Sequence, residues 1–209
     1  MAELKLTKTE LRNQQNRLIQ LSRYLPTLQL KKALLQTEVS HARQALHKVQ
    51  EDVKKRDEKI TAYASLFTKE VLILMQKSIV QTVFEKSFEN IAGAEIPKID
   101  KLEYKLTPYD LFDTPAWFEE AAVDVMEMKK LKIAEGIAKA RLSILEKELR
   151  EVSIRVNLFE KVLIPRAQAN IKKIKIFLGD LQLAAVSQAK VAKAKIMSRK
   201  ALHETEVAV

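Results

Sequence analysis

Apolar residues return every seven positions over the first third of the chain. Leu4, Leu11, Leu18 and Leu25 form one row and Leu21, Leu28 and Leu35 a second. Val39, Leu46, Val53, Ile60, Phe67 and Leu74 follow, interleaved with Ala42, Val49 and Tyr63. Alternating steps of four and three hold an apolar seam on one side of an under-wound helix, the pattern of a coiled coil. At 1.5 Å per residue, a helix over residues 4–76 makes a rod of about 110 Å. Arg56 and Glu70 interrupt the seam and mark places where the partner helix gives way to solvent or another chain. Pro26 lacks a ladder donor, so a kink or local break is expected there.

A second seam follows Asp113-Thr114-Pro115, where Thr114 suits an N-cap and Pro115 the first helical position. It reads Leu142, Leu145, Leu149, Val152, Val156, Phe159 and Leu163, then Ala167, Ile171, Ile174, Leu178, Leu181 and Ala185. From Phe159 to Ile171 every step is four, a stutter that locally unwinds a supercoil. Pro165 falls inside it, so a bend or straightened segment is expected without an end to the helix. Two long seams around a compact middle predict an all-α fold: a long antiparallel two-helix coiled-coil hairpin with a small helical/β-hairpin cap between the helices. In the predicted register paired residue numbers sum to about 195, which sets the N-terminus beside residue 190.

The predicted divisions are an N-terminal coiled-coil helix over 1–76, a compact middle over 77–115, a C-terminal coiled-coil helix over 116–200 and a flexible tail over 201–209. Within the middle, Ser78 to Asn90 reads as a short helix with Ile79, Val80, Val83, Phe84 and Phe88 on one side. Ile91 to Ile99 and Lys101 to Tyr104 are short and partly alternating, which fits a β-hairpin or an irregular cap.

Composition reinforces the helical reading. Three glycines and five prolines in 209 residues leave few turns, and 31% charged residues with 6% aromatic ones is the profile of long helices. The net charge of +10 is uneven. Residues 1–32 carry seven Lys/Arg against two acids, and residues 166–200 carry nine against Asp180 alone. If the ends lie side by side they face something acidic or simply a solvating surface. No cysteine is present for a disulfide or a thiolate site, and the longest apolar runs fall far short of the roughly 20 residues that cross a bilayer. A cytoplasmic protein without direct membrane insertion, peripherally associated with a membrane through partners, is expected.

A search for chemistry finds no catalytic residue, cofactor site or metal site, and a non-enzyme is expected. His41 and His47 are six apart and point to different helix faces, and His203 stands alone. The glycines are too far apart for a phosphate loop. Asp110 with Asp113, and Glu119 with Glu120, sit at a helix start, where carboxylates favour the dipole. Trp117 and Phe118 are read as packing the base of the hairpin.

The stretch Arg155-Val156-Asn157-Leu158-Phe159-Glu160-Lys161-Val162-Leu163-Ile164-Pro165-Arg166, followed by Ile171, Lys172, Ile174 and Leu178, resembles a signature of the D subunit of the V/A-type rotary ATPases. Its distinctive positions are Arg155, Val156, Asn157, Glu160, Pro165 and Arg166. Leu6 to Leu11, Leu28 to Leu35 and Ala92 to Pro97 are similar to further family segments, in the family's order.

That resemblance implies a rotor shaft in the central stalk. It implies partners: the catalytic and non-catalytic nucleotide-binding subunits (A and B) of the head, the F subunit, and the socket subunit over the membrane ring. Tip contacts with the hexamer are expected at Leu4, Leu11, Lys190 and Lys193, and contacts with the F subunit at Ile133, Ile137 and Ile144. The competing reading is a basic coiled coil that binds nucleic acid or acts as a scaffold. Acids mixed among the bases along the chain, and the lack of a base-reading element, weigh against nucleic acid.

Overall fold

The computed structural model describes residues 4–110, 112 and 114–207, with side chains described up to residue 199. In chain order the elements are α1 (Lys8–Ala62), a 3-10 turn (Ala64–Leu66), α2 (Lys69–Ser78), β1 (Ile79–Ile91), β2 (Ala94–Leu106), α3 (Phe118–Leu158), a π-helical turn (Phe159–Leu163) and α4 (Ile164–Val207). The fold is long helices plus one small antiparallel hairpin, the expected coiled-coil hairpin with a β cap. Residues group into two compact units, Met1–Gln29 with Ile154–Val209, and Leu30–Ser153.

In the first unit, Thr7 opens α1 by accepting from the Glu10 amide at 3.2 Å, one half of a Thr-x-x-Glu capping pattern. The helix runs unbroken through Pro26. Leu21, Val156, Ala167 and Ile174 form the buried seam here. Each large side chain so enclosed contributes about 2 kcal/mol. The stutter has a physical outcome. Steps of four from Phe159 to Ile171 ask for about four residues per turn, between the α and π values. The π turn at Phe159–Leu163 supplies the difference, and it ends two residues before Pro165, whose missing N–H and bulky ring disfavour a tight α ladder at that spot.

The seam expected at Leu181 and Ala185 is exposed instead, with Leu181 at 50%. The reason is register. Leu4, Glu10, Gln14 and Arg17 line one cavity with Leu163, Arg166, Ala167 and Asn170, so the start of the chain lies beside the first turns of α4 rather than beside residue 190. Among the described residues, the side chains of α4 from Leu181 to Arg199 are exposed. The backbone stays helical to Val207; residues 208–209 of the expected tail, and the side chain of His203, lie outside the described residues.

In the second unit, Leu35, Val39, Ala42, Leu145 and Val152 form the buried seam. Arg43 binds Glu146 at 2.6 Å and Gln50 meets Glu135 at 3.4 Å. Arg56 binds Asp124 at 2.6 Å. These pairs sit roughly ten residues short of the predicted register. They share their centre with the hairpin, in which Ile79 faces Leu106 and Ile91 faces Ala94. The second unit folds about the two-residue turn Ala92-Gly93.

That turn corrects the reading of the middle. The β-hairpin expected there is present, but Ile79 to Asn90, expected as a short helix, forms its first strand. Ala92 and Gly93 both take positive φ, 52° and 84°, the pattern of a type I′ turn, and strands of 13 residues run out on each side. Val80, Val83, Phe84 and Phe88 are β-branched or aromatic and serve a strand as well as a helix face, so spacing alone misleads. A Cβ on Gly93 would come within 3.5 Å of Lys31 Nζ, so the turn lies against α1. Ala94 and Ile96 are buried near it.

The helix expected over 1–76 is interrupted at 63–68. Ala62 ends α1, and Thr68 restarts the chain by capping α2, its hydroxyl accepting from the Val71 amide at 3.4 Å. Between them the chain turns so that Val71, Met75 and Ile79 can close on Phe118, Ala121 and Ala122. Tyr63, Phe67 and Trp117 stack edge to face on this core, with centroids 5.7 Å apart. Trp117 thus packs as expected. Thr114 does not cap: its hydroxyl donates to the Asp110 carbonyl at 2.9 Å, and α3 begins at Phe118 after a Pro115 turn. Asp113 lies outside the described residues.

Candidate functional site

The chemistry of this chain is concentrated on helix surfaces. Asp124 is the most enclosed charge among the described residues, 4% exposed in the first turns of α3. It accepts from Arg56 Nη1 at 2.6 Å, Lys59 Nζ at 3.0 Å and Tyr63 Oη at 2.7 Å. Arg56 also pairs with Glu127. Burial alone would raise the Asp124 carboxyl; hydrogen bonds from Lys59, Tyr63 and Arg56 outweigh it and hold the group below the usual carboxylate range. Burial, then the bond to Asp124, pushes the Tyr63 phenol up. Arg56 therefore breaks the apolar seam because it answers a buried carboxylate on α3, while its side chain stays 28% exposed. Glu70 is an exposed first-turn acid of α2. Sequence reasoning singles out Arg56 but misses Asp124. The available signal is a lone acid inside the run Ala121-Ala122-Val123-Asp124-Val125-Met126.

Several cavities adjoin charged residues, one of them lined by Lys59, Tyr63, Glu120 and Asp124 themselves, and two more carry most of the cations that line cavities. In the second unit, Asp52, Lys55, Arg56, Lys59, Glu127, Lys130 and Leu131 line a cleft of about 580 Å³ between α1 and α3. In the first unit, the cavity described above holds about 470 Å³ and carries Lys5, Arg17 and Arg166 on its walls. Its one acid, Glu10, accepts from the Gln14 amide at 2.8 Å.

The predicted site residues separate accordingly. Ile133, Ile137 and Ile144 lie half-buried on α3, at helical spacings of four and seven. Gly136 beside them has no neighbour within 4 Å of a Cβ built there. Leu4 and Leu11 are half-buried in the first unit, while Lys190 and Lys193 are exposed on α4. The four do not form one cluster: some 20 residues, about 30 Å of helix, separate Asn170 on the Leu4 cavity from Lys190. Of the signature, Val156 is buried, Arg155, Asn157, Glu160 and Arg166 are on the surface, and Pro165 follows the π turn. His47 pairs with Glu51 at 3.3 Å on the surface. No helix is long and apolar enough to cross a membrane among the described residues.

A two-helix coiled coil with a hairpin cap, its helices joined by a few ion pairs such as Arg43–Glu146 and Arg56–Asp124, defines a structural component rather than a catalytic one. The chain belongs to the family of ATP synthase D subunits, whose sequence profile matches residues 10–194. It is 42% identical over 200 residues to the V-type ATP synthase D subunit of Chlamydia pneumoniae, covering 95% of this chain and 96% of that protein. The D subunit of Chlamydia muridarum is 43% identical over 204 residues, covering 95% and 98%. That of Chlamydia trachomatis serovar L2 is 42% identical over 201 residues, covering 95% and 98%.

Proposed function

We propose that this chain is the central-stalk shaft of a V-type rotary ATP synthase, a non-catalytic component that transmits rotation between the membrane ring and the nucleotide-binding hexamer. The observation that carries the reading is the near full-length match to D subunits, joined to a fold of long helices with few glycines. Torque demands resistance to twist, and paired helices joined by interhelical ion pairs such as Arg43–Glu146 supply it. The hexamer of A and B subunits, the F subunit and the socket over the membrane ring are the partners this role requires. The face bearing Ile133, Ile137 and Ile144 suits the F subunit: it offers half-buried apolar area on α3, and Gly136 and Ala140 beside it let a partner approach closely.

The test is co-purification at moderate salt with the A, B and F subunits of the same organism. The expected result is a complex of all four, in which Ile137→Ala with Ile144→Ala weakens binding of the F subunit about tenfold or more. Recovery of nucleic acid in place of those subunits would overturn the role. Unchanged affinity for the F subunit in the double variant would move that site elsewhere.

A further inference from the structure

Val39, Leu46, Val53 and Ile60 recur every seven residues on α1, and such a row fits its partner nearly as well one heptad along. The register read from the seams alone falls roughly ten residues from the observed one, so the apolar repeat does not fix it. The exposed pair Arg43–Glu146 adds little, because solvent screens it. The cap joins α1 through the irregular stretch 63–68 rather than through continuous helix, which leaves the end of α1 slack to slide. Asp124 is different. Its donors Arg56, Lys59 and Tyr63 follow steps of three and four, one stripe over the last two turns of α1. Arg56 also reaches Glu127, one turn further along α3. Moved by one heptad, the stripe fails. In one direction Val49, Asp52 and Arg56 would stand where Arg56, Lys59 and Tyr63 stand, so Asp124 would meet an acid. In the other, Tyr63, Leu66 and Glu70 would take those places, past the end of α1 at Ala62 and again with an acid. A buried carboxylate without its donors is costly, so both neighbouring registers are penalised.

We propose that the Asp124 cluster is a register lock: it holds α1 and α3 in one alignment, so that torque passes along the coil instead of being lost as sliding between the helices. The lock is a property of the chain by itself, and its mechanical use rests on the shaft reading. Buried ionic groups add little net stability over apolar residues of the same volume, but they single out one alignment among several. Arg56 suits the task because its planar fork can serve two carboxylates at once, here Asp124 and Glu127. The place suits it too, on the coil side of the break, where α1 has no further helix to hold it.

The experiment places spin labels on the full chain through Ser40→Cys in α1 and Lys132→Cys in α3, both exposed positions in a chain with no cysteine of its own. Double electron–electron resonance reads their separation, and the otherwise unaltered chain should give one distance. Arg56→Met with Tyr63→Phe and Asp124→Leu replaces the cluster by apolar groups of similar volume. This triple variant should keep the helical signal and show a second distance about 5–10 Å away, a slide of one or two turns. Arg43→Met with Glu146→Met, at the exposed pair, should keep the single distance. One unaltered distance in the triple variant overturns the lock and leaves the shaft reading intact. Loss of its helical signal also overturns the lock, because the cluster would then hold the fold rather than the alignment. A second distance in the Arg43 and Glu146 variant does so too, since any interhelical pair would then serve. In the assembled ATP synthase the triple variant should move fewer ions per ATP hydrolysed than the wild type. Equal coupling from a chain that shows two distances overturns the shaft reading and not the lock.

Discussion

Ala92 is the one residue other than glycine with positive φ among the described residues, at 52°. An alanine there costs about 1 kcal/mol, because its Cβ crowds the carbonyl in that conformation. Ala92→Asn should therefore raise the unfolding free energy by about 0.5–1 kcal/mol, read from urea denaturation. Asp124 makes the opposite case. Replacing it with alanine leaves Arg56, Lys59 and Tyr63 without their common acceptor, and a loss of about 2 kcal/mol is expected, less than for a fully enclosed pair because the Lys59 side chain is 55% exposed. The pH dependence has a definite sign. The folded carboxyl titrates below its unfolded value of about 3.9, so its contribution is complete above that value and is lost as pH falls through the lower, folded one. Acid titration of stability should show this limb in the wild type and lack it in Asp124→Asn. An identical acid limb in both would assign the effect to other carboxylates.

At the level of elements, the apolar repeat is legible in the sequence and its interruptions less so. Heptad steps mark which residues of α1, α3 and α4 turn inward, and Leu35, Leu145 and Ile174 are indeed fully buried. The run of fours at Phe159 to Ile171 foretells an irregular turn, and a π turn occupies it. Strand and helix are confused at Ile79 to Asn90 because period alone cannot separate them when β-branched and aromatic residues recur. The two-residue turn that settles the matter carries alanine where asparagine or glycine is usual, so its signal is weak. The Arg17 and Arg166 cavity is invisible in sequence, since it depends on which turn of α4 meets the chain start. Gly136 gives a clean test of element stability. An alanine there meets nothing, so Gly136→Ala should stabilise α3 by about 1 kcal/mol, while a partner that needs the bare backbone would be lost.

For the molecule as a whole, charge and register together decide what is left over. The basic ends are plain from the sequence, but the expected register matches them end to end. In the observed one, Leu181, Leu183, Val186, Val191, Ile196 and Met197 of α4 are exposed among the described residues. Limited trypsin digestion should cut first at Lys190, Lys193 or Lys195, well before Lys139 or Arg141, and cutting at the latter pair first would contradict this order. Most helical stability in proteins comes from packing an apolar face, which this stretch lacks among the described residues. The terminal stretch of α4 is thus a conditional element, wound or unwound according to what encloses it, and its helicity can serve as a reporter of whether the chain has found its housing.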